Sequence, residues 1–230
     1  SNVDIMSIIP LTLNENFKLN FKPYYSYEDS TIFAGTTAQG GVVQERLRDI
    51  ERYGLISEVA AAFSLMNVSL GYMVESNDMK INTKNYNPVT SAYLGWGNYS
   101  ENEDDGIVQS PYLKLSGKLS DFDWQAGLKY FYYRDPASLG YVWNSSRNAL
   151  LRAPDLDREA KTYDDFFPSV GLSYNFTESL QVYTSYGRNF IRPYSYQPLL
   201  TLYNANRSTF QKAGVTLEDM FEGYDMEISN

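Results

Sequence analysis

The chain has 230 residues, 43% hydrophobic, 16% aromatic and 20% charged, so it is long enough to bury a sizeable core. It holds 21 tyrosines and 12 phenylalanines but no cysteine and no histidine, which excludes a disulfide framework, a Cys/His metal or haem cluster, and a Ser-His or Cys-His nucleophile. Nineteen basic against 28 acidic side chains give a net charge of -9, which repels a phosphate backbone, so no nucleic-acid partner is expected. No run approaches the roughly 20 apolar residues of a membrane helix, and no signal-peptide pattern opens the chain. A barrel strand, by contrast, needs only about 9 to 11 alternating residues.

From Val3 to Leu13 the odd positions are mostly apolar, and Asn14-Glu15-Asn16 turns the chain. Phe17, Leu19, Phe21, Tyr25 and Tyr27 then alternate with Lys18, Asn20, Lys22 and Ser26, the period of a half-buried strand. The unit repeats three times. Tyr53 to Phe63 turns at Ser64 to Asn67 and returns from Val68 to Val74. Ile107 to Leu119, with Gln109 out of phase, turns at Ser120 to Phe122 and returns from Trp124 to Tyr132. Phe166 to Phe176 turns at Thr177 to Ser179 and returns from Leu180 to Tyr186. Eight antiparallel strands are predicted.

Short turns alternate with long linkers, 28–52, 77–106, 134–165 and 191–223. Loops of this length argue against a compact soluble domain and suit an outer-membrane barrel, with short turns at one end and long loops at the other. These linkers carry charges of -2, -3, -1 and 0, about two thirds of the total. Tyr25, Tyr27, Tyr53, Tyr130, Tyr132, Phe166, Tyr174 and Tyr186 recur near strand ends, as in a membrane-boundary girdle.

The segment FFPSVGLSYNFTESLQVYTSYGRNFIRP, Phe166 to Pro193, resembles the barrel of TonB-dependent outer-membrane receptors. The resemblance rests on Pro168, Gly171 and Tyr174 before the turn, and on Leu180, Tyr183, Ser185-Tyr186-Gly187, Arg188, Phe190 and Pro193 after it, all with structural roles. Tyr224 to Ile228 resembles the start of a further strand. The resemblance implies a barrel of roughly 22 strands plugged by a globular domain, importing siderophore-iron, cobalamin, haem or glycans with energy passed by TonB. No plug, no TonB-contacting box and no aromatic-ended last strand is read here, so residues 1–230 are expected to be an all-β, up-and-down transmembrane barrel fragment from the middle to late part of a receptor. The implied location is the bacterial outer membrane. The implied partners are its lipid, a small-molecule ligand such as an iron chelate, and the TonB system through the plug alone; no cofactor is called for.

Lys18, Asn20 and Lys22, then Gln109, Lys114, Ser116 and Lys118, and Gln181 with Ser185 are expected to face the lumen, because charge on the lipid face costs roughly 2 to 4 kcal/mol at the midplane. Arg188 falls in the outward register, near a strand end where it can snorkel. Ligand contacts are expected in the linkers: Tyr86, Tyr93, Trp96 and Tyr99; Trp143, Arg147 and Arg152; and Tyr194, Tyr196, Tyr203 and Arg207. Arginine forks suit carboxylate or catecholate groups, and aromatic faces suit sugars. The run Glu101, Glu103, Asp104, Asp105 lacks the spacing of a calcium loop and reads as a solvated acidic loop, so no metal site is expected. No motif supports an enzyme. A soluble β-sandwich carbohydrate-binding module and a passive porin-type channel are the alternatives.

Overall fold

The computed structural model describes residues 1–36, 41–177, 179–191, 197–222 and 227–229. Five strands come first: β1 (Asn2–Met6), β2 (Ile9–Thr12), β3 (Phe17–Thr36), β4 (Val42–Ala62) and β5 (Met66–Tyr86). They are followed by β6 (Tyr93–Asn102), β7 (Gly106–Leu119), β8 (Phe122–Asp135), β9 (Ser138–Asn144), β10 (Ala149–Arg152), β11 (Lys161–Thr177) and β12 (Leu180–Gly187). β1 and β2 both pair with β3, as two halves of one interrupted strand. From there one antiparallel path runs β3-β4-β5-β7-β8-β11-β12, which gives the eight expected strands in chain order. The path does not close, and β1 with β2 and β12 stand at its two edges among the described residues.

Register sorts the side chains into two faces, since directly opposed residues share a face and neighbours along a strand do not. One row reads Leu19, Val59, Leu70, Leu113, Leu128 and Pro168 across six strands. The next reads Phe17, Ala61, Val68, Leu115, Ala126, Val170 and Tyr186. These rows cover an apolar face whose side chains stay largely exposed, Leu172 at 44% and Val182 at 54% among them. Aromatic rings bound it at both ends. At the short turns Phe17 meets Phe63 edge-on, and Tyr174 packs on Phe122 and Phe176. At the other boundary the hydroxyls of Tyr25, Tyr53, Tyr72 and Tyr130 donate to Glu51, Asp105, Gln109 and Asp164. Rings on the apolar side with hydroxyls turned to polar groups have the amphipathic placement of a membrane interface.

The long linkers are not bare loops. β3 and β4 run well beyond the expected strand ends, so that most of 28–52 is paired ladder from Glu28 opposite Ile50 to Thr36 opposite Val42. Both faces there carry charge, and Arg48 pairs with Glu28 at 2.8 Å; this is strand held by hydrogen bonds and cross-strand pairs instead of a hydrophobic alternation. β5 is likewise extended, and β6, β9 and β10 form a small sheet that branches from its end. In 191–223 the chain forms helices α1 (Gln197–Ala205), α2 (Arg207–Ala213) and α3 (Leu217–Phe221), where the sequence reading expected none. Ala153, Leu156, Leu200, Tyr203, Leu217 and Phe221 form their buried core with the loop sheet. Two last strands, β13 (Asn189–Ile191) and β14 (Glu227–Ser229), pair with each other, so the expected further strand is present at Glu227 and Ile228; Tyr224 to Met226 lie outside the described residues.

Candidate functional site

The polar face carries two candidate regions, a wall along the strands and a cap at the linker end. On the wall, Asn20, Glu58, Gly71, Tyr112, Lys129 and Phe167 form one row, and Lys18, Ala60, Ser69, Lys114, Gly127 and Ser169 the next. Lys22, Ser116 and Lys118 share this face, as do Gln181 and Ser185. Gln109 does not: it opposes Val74 and Tyr132 on the apolar face, at the level where Tyr72 can hydrogen-bond it. Arg188 is a second correction. The alternation breaks after Gly187, and the guanidinium turns to the polar face to meet Asp165 at 2.8 Å.

A cavity of about 610 Å³ lies against this wall, reaching from Lys22 on β3 through Tyr112, Lys114 and Lys129 to Ser169 and Arg188. Two tyrosine clasps stand on this face, and that of Tyr112 and Glu58 borders the cavity. The Tyr24 ring lies over Gly54 with its hydroxyl donating to Glu75 at 2.6 Å, and the Tyr112 ring lies over Gly71 with its hydroxyl donating to Glu58 at 2.9 Å. Sequence reasoning missed both, although Tyr24 and Tyr112 interrupt the polar rows and each faces a glycine one strand away. It also missed a cluster at the cap end of the same face, Val108, Phe131, Tyr133, Tyr163 and Phe167, which buries apolar surface on the polar side.

The cap covers the end of this face. Asn98 on β6 opposes Thr83, and its amide donates to Thr201 while its oxygen accepts from Asn204. Lys161 donates to the Phe221 carbonyl at 3.1 Å. Tyr203 is fully buried, and its hydroxyl donates to the Val215 carbonyl at 2.9 Å. Arg207 forks onto Asp155, which also accepts from Gln211. The guanidinium holds the Asp155 carboxyl below the ordinary range, and Asp155 in turn raises Arg207. Tyr203 and Arg207 both help to hold the cap together, Tyr203 fully buried and Arg207 partly exposed.

The other aromatic candidates are gathered, but on the opposite side. Tyr86, whose hydroxyl donates to Glu45, packs on Tyr93 at 5.6 Å, and Tyr93 packs on Trp143 at 5.8 Å. Trp96 lies under Lys84 and meets Tyr99, which meets Tyr141, over which Arg152 sits. Glu45 and Lys84 oppose each other in the register of the apolar face, so this strip continues that face beyond the tyrosine boundary. Gly95 makes room for it: its φ is +110°, and an added Cβ would stand 2.1 Å from the Trp143 ring. Burial and the Glu101 hydrogen bond raise the Tyr99 hydroxyl, and Arg152 holds Asp157 below the usual carboxylate range. Arg147 is exposed in the turn after β9, its amide donating to Asn144. Tyr194 and Tyr196, with Pro193, lie outside the described residues.

The acidic run is dispersed. Glu101 accepts from Tyr99 and Tyr141, Asp104 pairs with Arg134, and Asp105 accepts from Tyr53 and Ser76. In the motif hairpin, Pro168 opposes Leu128 on the apolar face, Gly171 opposes Gln125 and Ser185, Tyr174 opposes Val182, and Tyr183 opposes Ser173. Tyr186 opposes Val170, and Phe190 pairs with Ile228.

A family model described as TonB dependent receptor-like, beta-barrel, matches residues 7–218. No curated protein matches the chain in sequence. Among solved structures, the copper transporter OprC superposes with a TM-score of 0.60 at 12% identity, over 87% of this chain and 31% of that one. The ferric citrate transporter FecA, in its unliganded form, superposes with a TM-score of 0.56 at 12% identity, over 90% of this chain and 28% of that one. The chain thus spans less than a third of the length of either transporter.

Proposed function

Because this chain belongs to the TonB-dependent receptor β-barrel family, we propose that it is the wall of an outer-membrane receptor that captures and imports a scarce small ligand such as an iron chelate. The observation that carries the reading is the division of one continuous sheet into an apolar face bounded by aromatic rings and a polar face with a cavity. In a bilayer the first meets lipid and the second a water-filled or protein-filled lumen, with each interior strand hydrogen-bonded to a neighbour on either side. The linker end, with its cap and extended hairpin, then faces outward, where long barrel loops lie. The apolar face is fully displayed and the eight strands follow one open path, which favours this reading over a sandwich, whose two sheets must pack face to face. Binding and passage need no catalytic group, so we read the protein as a non-enzyme.

On this reading the exposed linker residues and the wall meet the ligand, and the TonB system acts through a plug contributed by the rest of the receptor. The test is uptake of labelled ferric citrate and of a ferric hydroxamate by cells with the receptor, without it, and without TonB. Import lost in both deletions supports the function. Uptake of both chelates unchanged by deleting the receptor would overturn the iron-chelate form of it.

A further inference from the structure

Resting on the membrane placement in that reading, we propose that the outward aromatic strip above the bilayer binds a neutral saccharide chain carried by a lipid of the surrounding leaflet. The strip is built of two runs of rings, Tyr86, Tyr93 and Trp143, then Trp96, Tyr99 and Tyr141, with successive centroids 4.8 to 5.8 Å apart. Its register is that of the lipid-facing side: Tyr86 opposes Val43 and Tyr93, Lys84 opposes Glu45 and Trp96, and Tyr99 opposes Tyr141. It therefore looks away from the lumen and lines no path of import. Its rings are only partly covered, Tyr93 remaining 44% exposed, and contiguous aromatic surface left in water marks a binding surface.

Height and charge select the occupant. Lys84 stands twelve residues beyond Tyr72, the boundary residue of β5, so the strip lies about 30 Å above the apolar zone at the usual rise and tilt. Phospholipid headgroups extend only about 5 to 8 Å past the hydrocarbon. Among the parts of a neighbouring lipid, only a long saccharide chain rises to the strip. The two carboxylates there, Glu45 and Glu101, are matched by Lys84, 3.9 Å from Glu45, and by Arg152, which lies over the Tyr141 ring. Below them the same face carries Asp49, Glu51 and Asp78 against Lys80, which disfavours a phosphate and leaves recognition to uncharged sugars. A pyranose offers a C–H face to an aromatic ring and a rim of hydroxyls to polar groups. Glu45 and Glu101 keep acceptor lone pairs beyond those used by Tyr86, Tyr99 and Tyr141, while Lys84 and Arg152 supply donors. Tyr141 and Trp143, two residues apart on one face of β9, set the two runs side by side, so neighbouring sugars of one chain can rest on both.

The test uses the full-length receptor in detergent micelles with Mg²⁺ present, and native mass spectrometry to count bound glycolipid. The probes are lipopolysaccharide bearing a long neutral-sugar chain, its truncated form ending at the inner core, and the same chain released from its lipid. The long form should bind saturably and about tenfold or more tighter than either the truncated form or the released chain, which lacks the anchor that concentrates it. Trp96→Ala with Trp143→Ala should weaken the long form by about tenfold or more and leave the truncated form within about twofold. Glu45→Gln with Glu101→Gln, which keeps the rings, should weaken the long form by about threefold to tenfold. The gel shift of the unheated barrel confirms that each variant is folded. A folded receptor that binds long and truncated forms alike, or holds the long form equally well in the tryptophan variant, overturns the proposal. So does a released chain that binds as tightly as the anchored one, or a receptor dimer that the tryptophan variant abolishes, which would assign the strip to a second copy. Failure of the underlying reading shows separately, as a receptor that is folded and monomeric without detergent.

Discussion

Gly71 and Gly54 decide how closely two tyrosines can lie on the sheet. A Cβ on Gly71 would come within 2.1 Å of the Tyr112 ring, and one on Gly54 within 2.5 Å of Tyr24. Gly71→Ala should therefore lift Tyr112 from Glu58 and destabilise the folded barrel by about 1 to 3 kcal/mol; urea unfolding in micelles reads this, and removing the ring as well, in Gly71→Ala with Tyr112→Ala, should lessen the penalty of the alanine. In the cap, Asp155 has its carboxyl pulled below the ordinary value by Arg207, so its contribution is complete above the unfolded pKa, near about 3.9, and fades as pH falls through the folded value. Asp157 is shifted in the same direction by Arg152. Amide exchange across 197–222, corrected for intrinsic rates, should stay constant from neutral pH to about 5 and accelerate below about 4. Asp155→Asn should lose part of that protection at neutral pH, at a cost of about 1.5 to 3 kcal/mol.

At the scale of the element, the hairpin of β11 and β12 gives the sharpest test of which face meets lipid. Leu172 and Val182 lie on the apolar face, while Ser173 and Gln181 face the lumen and hydrogen-bond each other at 2.8 Å. Arginine at Leu172 or Val182 should block assembly into membranes, at a cost of about 2 to 4 kcal/mol near the midplane, whereas arginine at Ser173 or Gln181 should be tolerated; the folded fraction on an unheated gel decides, and equal tolerance would sink the assignment. This hairpin was legible because its period-2 pattern is driven by burial in lipid. The tops of β3 and β4 were not, because there Arg46, Asp49 and Glu51 occupy either face and the buried positions, Val42, Gln44 and Ile50, mix polar with apolar side chains. The helices hid differently: they are short, and their cues were local, a Thr216 and Asp219 capping box opening α3 and Gly214 at φ +70° closing α2. Residue chemistry alone identified the aromatic linker residues. It did not say that Tyr86, Tyr93, Trp96 and Trp143 stand on the outward side, since that depends on strand lengths the linkers concealed.

The molecule as a whole is a single curtain of strands with one dry side, one wet side and a lid of helices folded over the wet side's upper end. Its two halves differ in what stabilises them: lipid and lumen below the tyrosine boundary, and ordinary aqueous packing, with its own buried core, above it. That division explains why the acidic surplus sits in the linkers while the wall carries a positive surplus. From Tyr25 at the boundary, β3 climbs eleven further residues to Thr36. At about 3.3 Å per residue and the usual barrel tilt, this lifts the hairpin roughly 25 to 30 Å clear of the bilayer. A stiff ladder of that height outreaches the headgroups, so an antibody or a bacteriophage arriving from the medium can grip its paired strands without touching the bilayer.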